Sequence, residues 1–220
     1  MRGGARIAAF VLVSATLAAC GPKPYQRPFG LHGPIEHTLR GDYYTVEKGT
    51  SRLPDFTRMH RKATVFAPNL NVVPQSSADG FVGLTDRNEW FAMDYTAALM
   101  VAAPGTYGFR LVSQDGSRLI IDGKTVVDDD GVHPPVGASG AAALAMGRHA
   151  VEVQYFKGPH WRAALQLYCT APGGREALFP DCGGLSLETP KKWTDSLWWM
   201  WLLGIFGIAV AWWVVRGRKG

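Results

Sequence analysis

Residues 107–131 read YGFRLVSQDGSRLIIDGKTVVDDDG. Apolar side chains alternate through Tyr107, Phe109 and Leu111, return at Leu119, Ile120 and Ile121, and return again at Val126 and Val127 after Thr125. Acidic turns close each run: Gln114-Asp115-Gly116-Ser117, Asp122-Gly123 and Asp128-Asp129-Asp130-Gly131. An Asx-Gly pair between β-branched runs is a strong hairpin signal, because glycine accepts the positive φ that a tight primed turn requires. The stretch predicts three short strands joined as a local meander.

The flanks carry the same grammar. Residues 90–101 place Phe91, Met93, Tyr95, Ala97, Leu99 and Val101 on one face of a long strand, and Pro104-Gly105-Thr106 turns it into the central stretch. Residues 130–140 are expected to form an irregular loop, since Pro134 and Pro135 have no amide donors. Residues 141–146, boxed between Gly140 and Gly147, read as a strand. Val151, Val153 and Tyr155 alternate in the next strand, and Leu165 and Leu167 in the one after it. Residues 63–66 read as a further strand, and 75–88 as a polar loop plugged by Phe81 and Leu84. Short alternating strands with frequent turns are the signature of an all-β sandwich or barrel. The absence of βαβ spacing argues against a parallel nucleotide-binding sheet.

Charge and cysteines locate the chain. The formal net charge is +5 over 220 residues. Arg2, Arg6, Lys191, Lys192, Arg216, Arg218 and Lys219 all flank apolar ends, which leaves 16 basic against 17 acidic side chains over residues 21–190. A nucleic-acid partner is therefore not expected. A basic start followed by the apolar run 7–19 has the layout of a secretory signal over residues 1–19. Leu17-Ala18-Ala19-Cys20 resembles a bacterial lipobox, with Cys20 as the lipidated residue; the alternative is an ordinary signal with a chance cysteine. Export implies an oxidising compartment, in which Cys169 and Cys182 form the remaining even pair. Residues 20–40, with Pro22, Pro24, Pro28 and Pro34, read as a tether, and 173–195 as a Gly/Pro-rich linker carrying Cys182. Residues 197–215 hold no charge and span about 28 Å as a helix, close to the thickness of a bilayer core. Six of the eight tryptophans lie at the two ends of that run, as interfacial belts do. A transmembrane helix is thus expected over 196–215, with a basic cytoplasmic tail over 216–220.

The wording S-Q-D-G-S-R-L-I-I-D-G (residues 113–123), followed by Gly147-Arg148-His149 and V-E-V-Q-Y-F (151–156), resembles the PA14 domain. That family is a β-sandwich found in bacterial surface proteins, glycosidases, toxins and fungal adhesins. The resemblance implies a PA14-like antiparallel β-sandwich over 41–172. In sugar-binding members, a pair of adjacent aspartates in the turn after this strand holds a calcium ion that binds vicinal sugar hydroxyls. The matching positions are Gln114 and Asp115, and Gln114 supplies only a neutral carbonyl where the family pattern has a charge. Asp128, Asp130 and His133 would line the opposite rim, with Asp128 as a further metal ligand and calcium as the cofactor. Trp161, in the turn 158–162, is either a plug over the sandwich end or an exposed stacking surface.

Catalytic readings find little support. A glycosidase needs two carboxyl groups held about 5 to 10 Å apart across a sugar, and Glu89, Asp94 and Glu152 sit where a strand places outward charge. No nucleophile elbow surrounds a serine, and the histidines have no zinc spacing. The expected function is a non-catalytic module of the bacterial cell envelope. It would bind a glycan or polysaccharide and touch membrane lipid, with its domain on the periplasmic or extracellular side. The rival is a structural or protein-interaction subunit of an envelope assembly. Gly21 after the lipobox favours the outer membrane, a retained helix favours the inner one, and the apolar tail read as a sorting signal would be cut off; the residues leave all three open.

Overall fold

The computed structural model describes residues 28–33, 35–76, 84, 87–159 and 162–188. Their strands form two antiparallel sheets. The first runs β2 (Ala63–Ala67), β1 (Leu39–Thr45), β4 (Phe91–Val101), β9 (Gly147–Lys157), β6 (Ser117–Ile121) and β7 (Lys124–Asp129), with β12 (Leu185–Leu187) continuing the β1 side of β4. The second runs β11 (Glu176–Leu178), β10 (Arg162–Thr170), β5 (Gly105–Ser113) and β8 (Val136–Leu144), with β3 (Asn71–Ser76) beside β10.

The period of two seen in the sequence sets the core. Phe91, Met93, Tyr95, Leu99 and Val101 of β4 and Val151, Val153 and Tyr155 of β9 face Tyr107, Phe109 and Leu111 of β5 and Leu165 and Leu167 of β10, all buried in one apolar layer between the sheets. Each such side chain contributes about 1.5–3 kcal/mol on leaving water. The sandwich is thus all-β and antiparallel, as expected.

The central stretch is not a meander. Only β6 and β7 pair as a hairpin, through Asp122 and Gly123, both at positive φ (50° and 74°). Strand β5 pairs with β10 and β8, whereas β6 pairs with β9 and β7, so residues 114–116 carry the chain from one sheet to the other. Alternation alone does not distinguish a tight hairpin from such a crossing. The loop expected over 130–140 ends at Pro135, and β8 begins at Val136.

Both segments read as spacers enter the fold where they are described. Phe29 and Leu39, from the expected tether, and Phe179, from the expected linker, are core residues, and β11 and β12 lie in that linker. Strands of three residues are too short to display a period. The bond between Cys169 and Cys182 (Cα–Cα 5.6 Å) fastens the linker to β10. Reducing it is expected to lower the unfolding free energy by about 3 kcal/mol, the chain-entropy value for a loop of this length, measured as the midpoint of chemical denaturation with and without reductant.

Residues 1–19, Cys20, the helix expected over 196–215 and the tail lie outside the described residues. Among the described residues no helix is long and apolar enough to cross a membrane; the helical element there is one 3-10 turn, Phe56–Arg58. On one flank the two sheets nearly meet. A Cβ on Gly140 of β8 would fall 1.9 Å from the Val126 carbonyl oxygen of β7, so only glycine allows that approach.

Candidate functional site

The crossing from β5 to β6 keeps the inward phase of the strands but changes its chemistry. After Leu111 the in-phase positions are Ser113, Asp115 and Ser117, all buried, before apolar packing resumes at Leu119. Ser113 Oγ lies 2.7 Å from Ser117 Oγ and donates to the Asp115 carbonyl at 2.8 Å. Backbone bonds tie the turn to its surroundings: Gln114 N donates to Ala164 O, Asp115 N to His133 O, and Phe156 N to Gly116 O. Asp115 itself sits at φ 64°, in the left-handed region that aspartate tolerates better than most residues. A polar plug thus closes this end of the sandwich.

Its charge comes from a residue the sequence reading passed over. Lys157 ends β9 in the same inward phase as Val151, Val153 and Tyr155, and its side chain and that of Asp115 are both 0% exposed. Lys157 Nζ donates to Asp115 Oδ2 and to Gly158 O, each at 3.1 Å, and Gly158 N donates to the same Oδ2 at 3.0 Å. Burial pulls the Lys157 pKa below the usual lysine value, and the charges of Asp115 and Glu89 pull the other way. Tyr155, buried nearby, has its pKa pushed well above the usual phenol value, first by burial and then by the Asp115 charge.

The sequence-predicted residues divide. Gln114, Asp115 and His133 come together: Gln114 Nε2 donates to His133 O at 2.7 Å. His133 Nδ1 and Nε2 both face carbonyl oxygens, those of Pro134 (2.9 Å) and Asp129 (3.1 Å), which only the doubly protonated ring can satisfy. Burial opposes its charge, but those carbonyls and the Asp129 and Asp115 carboxylates outweigh burial and leave its pKa raised. Asp128 does not join them. It alternates to the outer face and pairs with Arg118 at 3.1 Å, while Asp129, which was not singled out, approaches Ser113 Oγ and His133. Asp130 accepts from Leu53 N at 2.7 Å, and Asp122 from Ala150 N and His149. Trp161 lies outside the described residues. Lys157, Ser113 and Ser117 were legible in one respect: each is a polar residue in phase with the core.

These residues do not fit calcium. Calcium takes six to eight oxygens at 2.3–2.6 Å, whereas Asp115 Oδ2 already receives an ammonium, and Gln114 turns its amide donor into the cluster. A divalent ion on that same oxygen would sit no farther than about 5.5 Å from Nζ, a repulsion of about 6 kcal/mol at an effective dielectric of ~20. Among the described residues no group of three or more His, Cys, Asp or Glu side chains is arranged to hold a metal.

A second concavity, a cleft of about 450 Å³, lies on the outer face of the first sheet, where Asp94, Glu152, Gln154 and Arg118 run beneath Pro54 and Phe56. Asp94 Oδ1 is buried there with no hydrogen-bond partner among the described residues.

Comparison with known proteins places this architecture. No curated protein matches the chain. The PA14 sugar-binding domain from an RTX adhesin superposes with a TM-score of 0.57 at 23% identity, covering 66% of this chain and 96% of its own. The PA14 domain of the MpAFP antifreeze protein gives 0.56 at 20%, covering 73% and 97%. The A domain of Epithelial Adhesin 9 from Candida glabrata, solved in complex with Galb1-4GlcNAc, gives 0.50 at 11%, covering 77% and 99%. At these identities the likeness is one of fold. The PA14 domain model matches residues 71–181, which takes in the strand crossing, the Asp115–Lys157 pair and the disulfide's first cysteine. The chain belongs to the PA14 domain family.

Proposed function

We propose that the chain is a non-catalytic carbohydrate-binding module, held in a bacterial cell envelope by lipid on Cys20 and by a helix over 196–215, with the PA14 domain on the periplasmic or extracellular side. The observation that carries this reading is the convergence of the 114–116 turn, the 131–135 loop and Gly158 at one end of the sandwich, held in place by Asp115 and Gln114. A rim held by buried bonds is preorganised, so a glycan pays little ordering cost on docking. His133, whose two ring nitrogens hold the Pro134 and Asp129 carbonyls, fixes the shape of the loop that a glycan would meet. Sugar-binding PA14 domains share the fold.

The test is a glycan array probed with the full chain in mild detergent. Retention on a defined set of glycans is expected, with His133→Ala weakening it about tenfold as the loop loses the bonds that order it. Retention on none would favour the second reading, a structural or protein-interaction subunit of an envelope assembly. One observation speaks for that reading: Asp115, Asp122, Asp128 and Asp130 are all engaged by the protein's own groups.

A further inference from the structure

Three observations at the crossing share one cause. Asp115 is a fully buried carboxylate, Lys157 is a fully buried ammonium 3.1 Å from it, and the two point inward from the β5–β6 crossing and from the end of β9 although 42 residues separate them in sequence. A buried carboxylate needs a counter-cation, and here the chain supplies its own. Gln114 completes the arrangement, because its amide nitrogen points at the His133 carbonyl and at Asp115 Oδ1 (3.5 Å), offering donors where a metal would need acceptors.

We propose that Lys157 takes the place of a divalent metal at the loop end of this PA14 domain, so that the rim is assembled, and recognises its ligand, without calcium. Lys157 is a positioning residue: it is sealed from solvent and acts on any ligand through Asp115, Gly158 and the loop bearing His133. The ligand clause rests on the carbohydrate-binding reading; the clause on assembly does not.

The test separates the two. Thermal unfolding of the full chain in mild detergent is followed with millimolar calcium and with excess chelator. The midpoints are expected to agree within about one degree, and terbium, used as a luminescent calcium probe, is expected to show no stoichiometric binding that Asp115→Asn removes. A calcium-dependent rise of several degrees, the size of shift a bound ligand produces well above its dissociation constant, would overturn the proposal whatever the glycan array gives. A double-mutant cycle adds a readout from the pair itself: Lys157→Met with Asp115→Asn should unfold at a higher temperature than Lys157→Met alone, since the orphaned charge is gone. Additive losses would mean that Lys157 is not the counter-cation. If Lys157→Met does not fold, the comparison of calcium with chelator on the unaltered chain decides by itself. Where glycans are retained, retention unchanged by chelator supports the ligand clause and its loss refutes it; retention on none removes the carbohydrate reading and leaves the assembly clause to the unfolding data.

Discussion

Lys157→Met lowers the unfolding free energy of the domain by about 3–5 kcal/mol, the range found when one partner of a buried ion pair is removed and the other charge is left without compensation. Methionine keeps most of the stem volume, so the loss reports charge rather than a cavity. For a domain of this size the midpoint should fall by roughly 10 °C. The contrast that makes the result interpretable is on the surface: Arg148 pairs with Glu188 with side chains 65% and 37% exposed, and Arg148→Met should cost under about 1 kcal/mol. Equal losses at the two positions would mean that water reaches Asp115 and that the plug is not sealed.

Asp94→Asn should stabilise the protein by an amount that grows as pH rises from about 4 and levels off above about 7. Asp94 has its pKa raised to about 7 from 3.8, first by burial, then by the charges of Glu152 and Asp42, with Arg40 opposing. An acid whose folded value is raised holds a proton that the unfolded chain gives up. Its contribution is therefore fully present below about pH 4 and lost as pH rises through about 7. The full shift would correspond to about 4 kcal/mol, and partial solvent access reduces that to about 2. Asparagine carries no charge at any pH. Thermal unfolding at pH 8.5 should show the variant several degrees above the parent, and the gap should close as pH is lowered towards about 3.8. A shift of the same size at both pH values would attribute the gain to packing instead.

How much of this was legible in the residues divides along the period of two. Long alternating runs gave β4, β9 and β10 their place and their inward faces, because eleven or nine residues display a phase. Strands β11 and β12, three residues each, cannot display one, and Phe29 and Leu39 sit among prolines that read as tether. The family resemblance pointed to the turn that holds Asp115, and Lys157 stands 3.1 Å from it there. Gln114 was visible as a missing charge, yet the compensating charge came from Lys157, far along the chain, and only pairing of β6 with β9 brings the two strands together. The signal was available nonetheless. A lysine continuing the inward series Val151, Val153, Tyr155 must find a buried anion, and Asp115 is the one acid that continues the inward series of β5. Asp128 misled for the converse reason: three consecutive aspartates alternate faces, and the middle one, Asp129, is the one turned towards Ser113.

The near contact of Gly140 with the Val126 carbonyl bears on how this domain can be joined to others. Exposed sheet edges are templates on which a foreign peptide can add a strand. Where β8 lies against β7 there is no gap for one, so that flank is closed to polymerisation by strand addition. On the opposite flank Leu31 bridges to Phe66 of β2, placing the chain's own backbone along part of the remaining edge of the first sheet. On the β7–β8 flank, copies crowded on a surface would meet through side chains and loops rather than through paired strands.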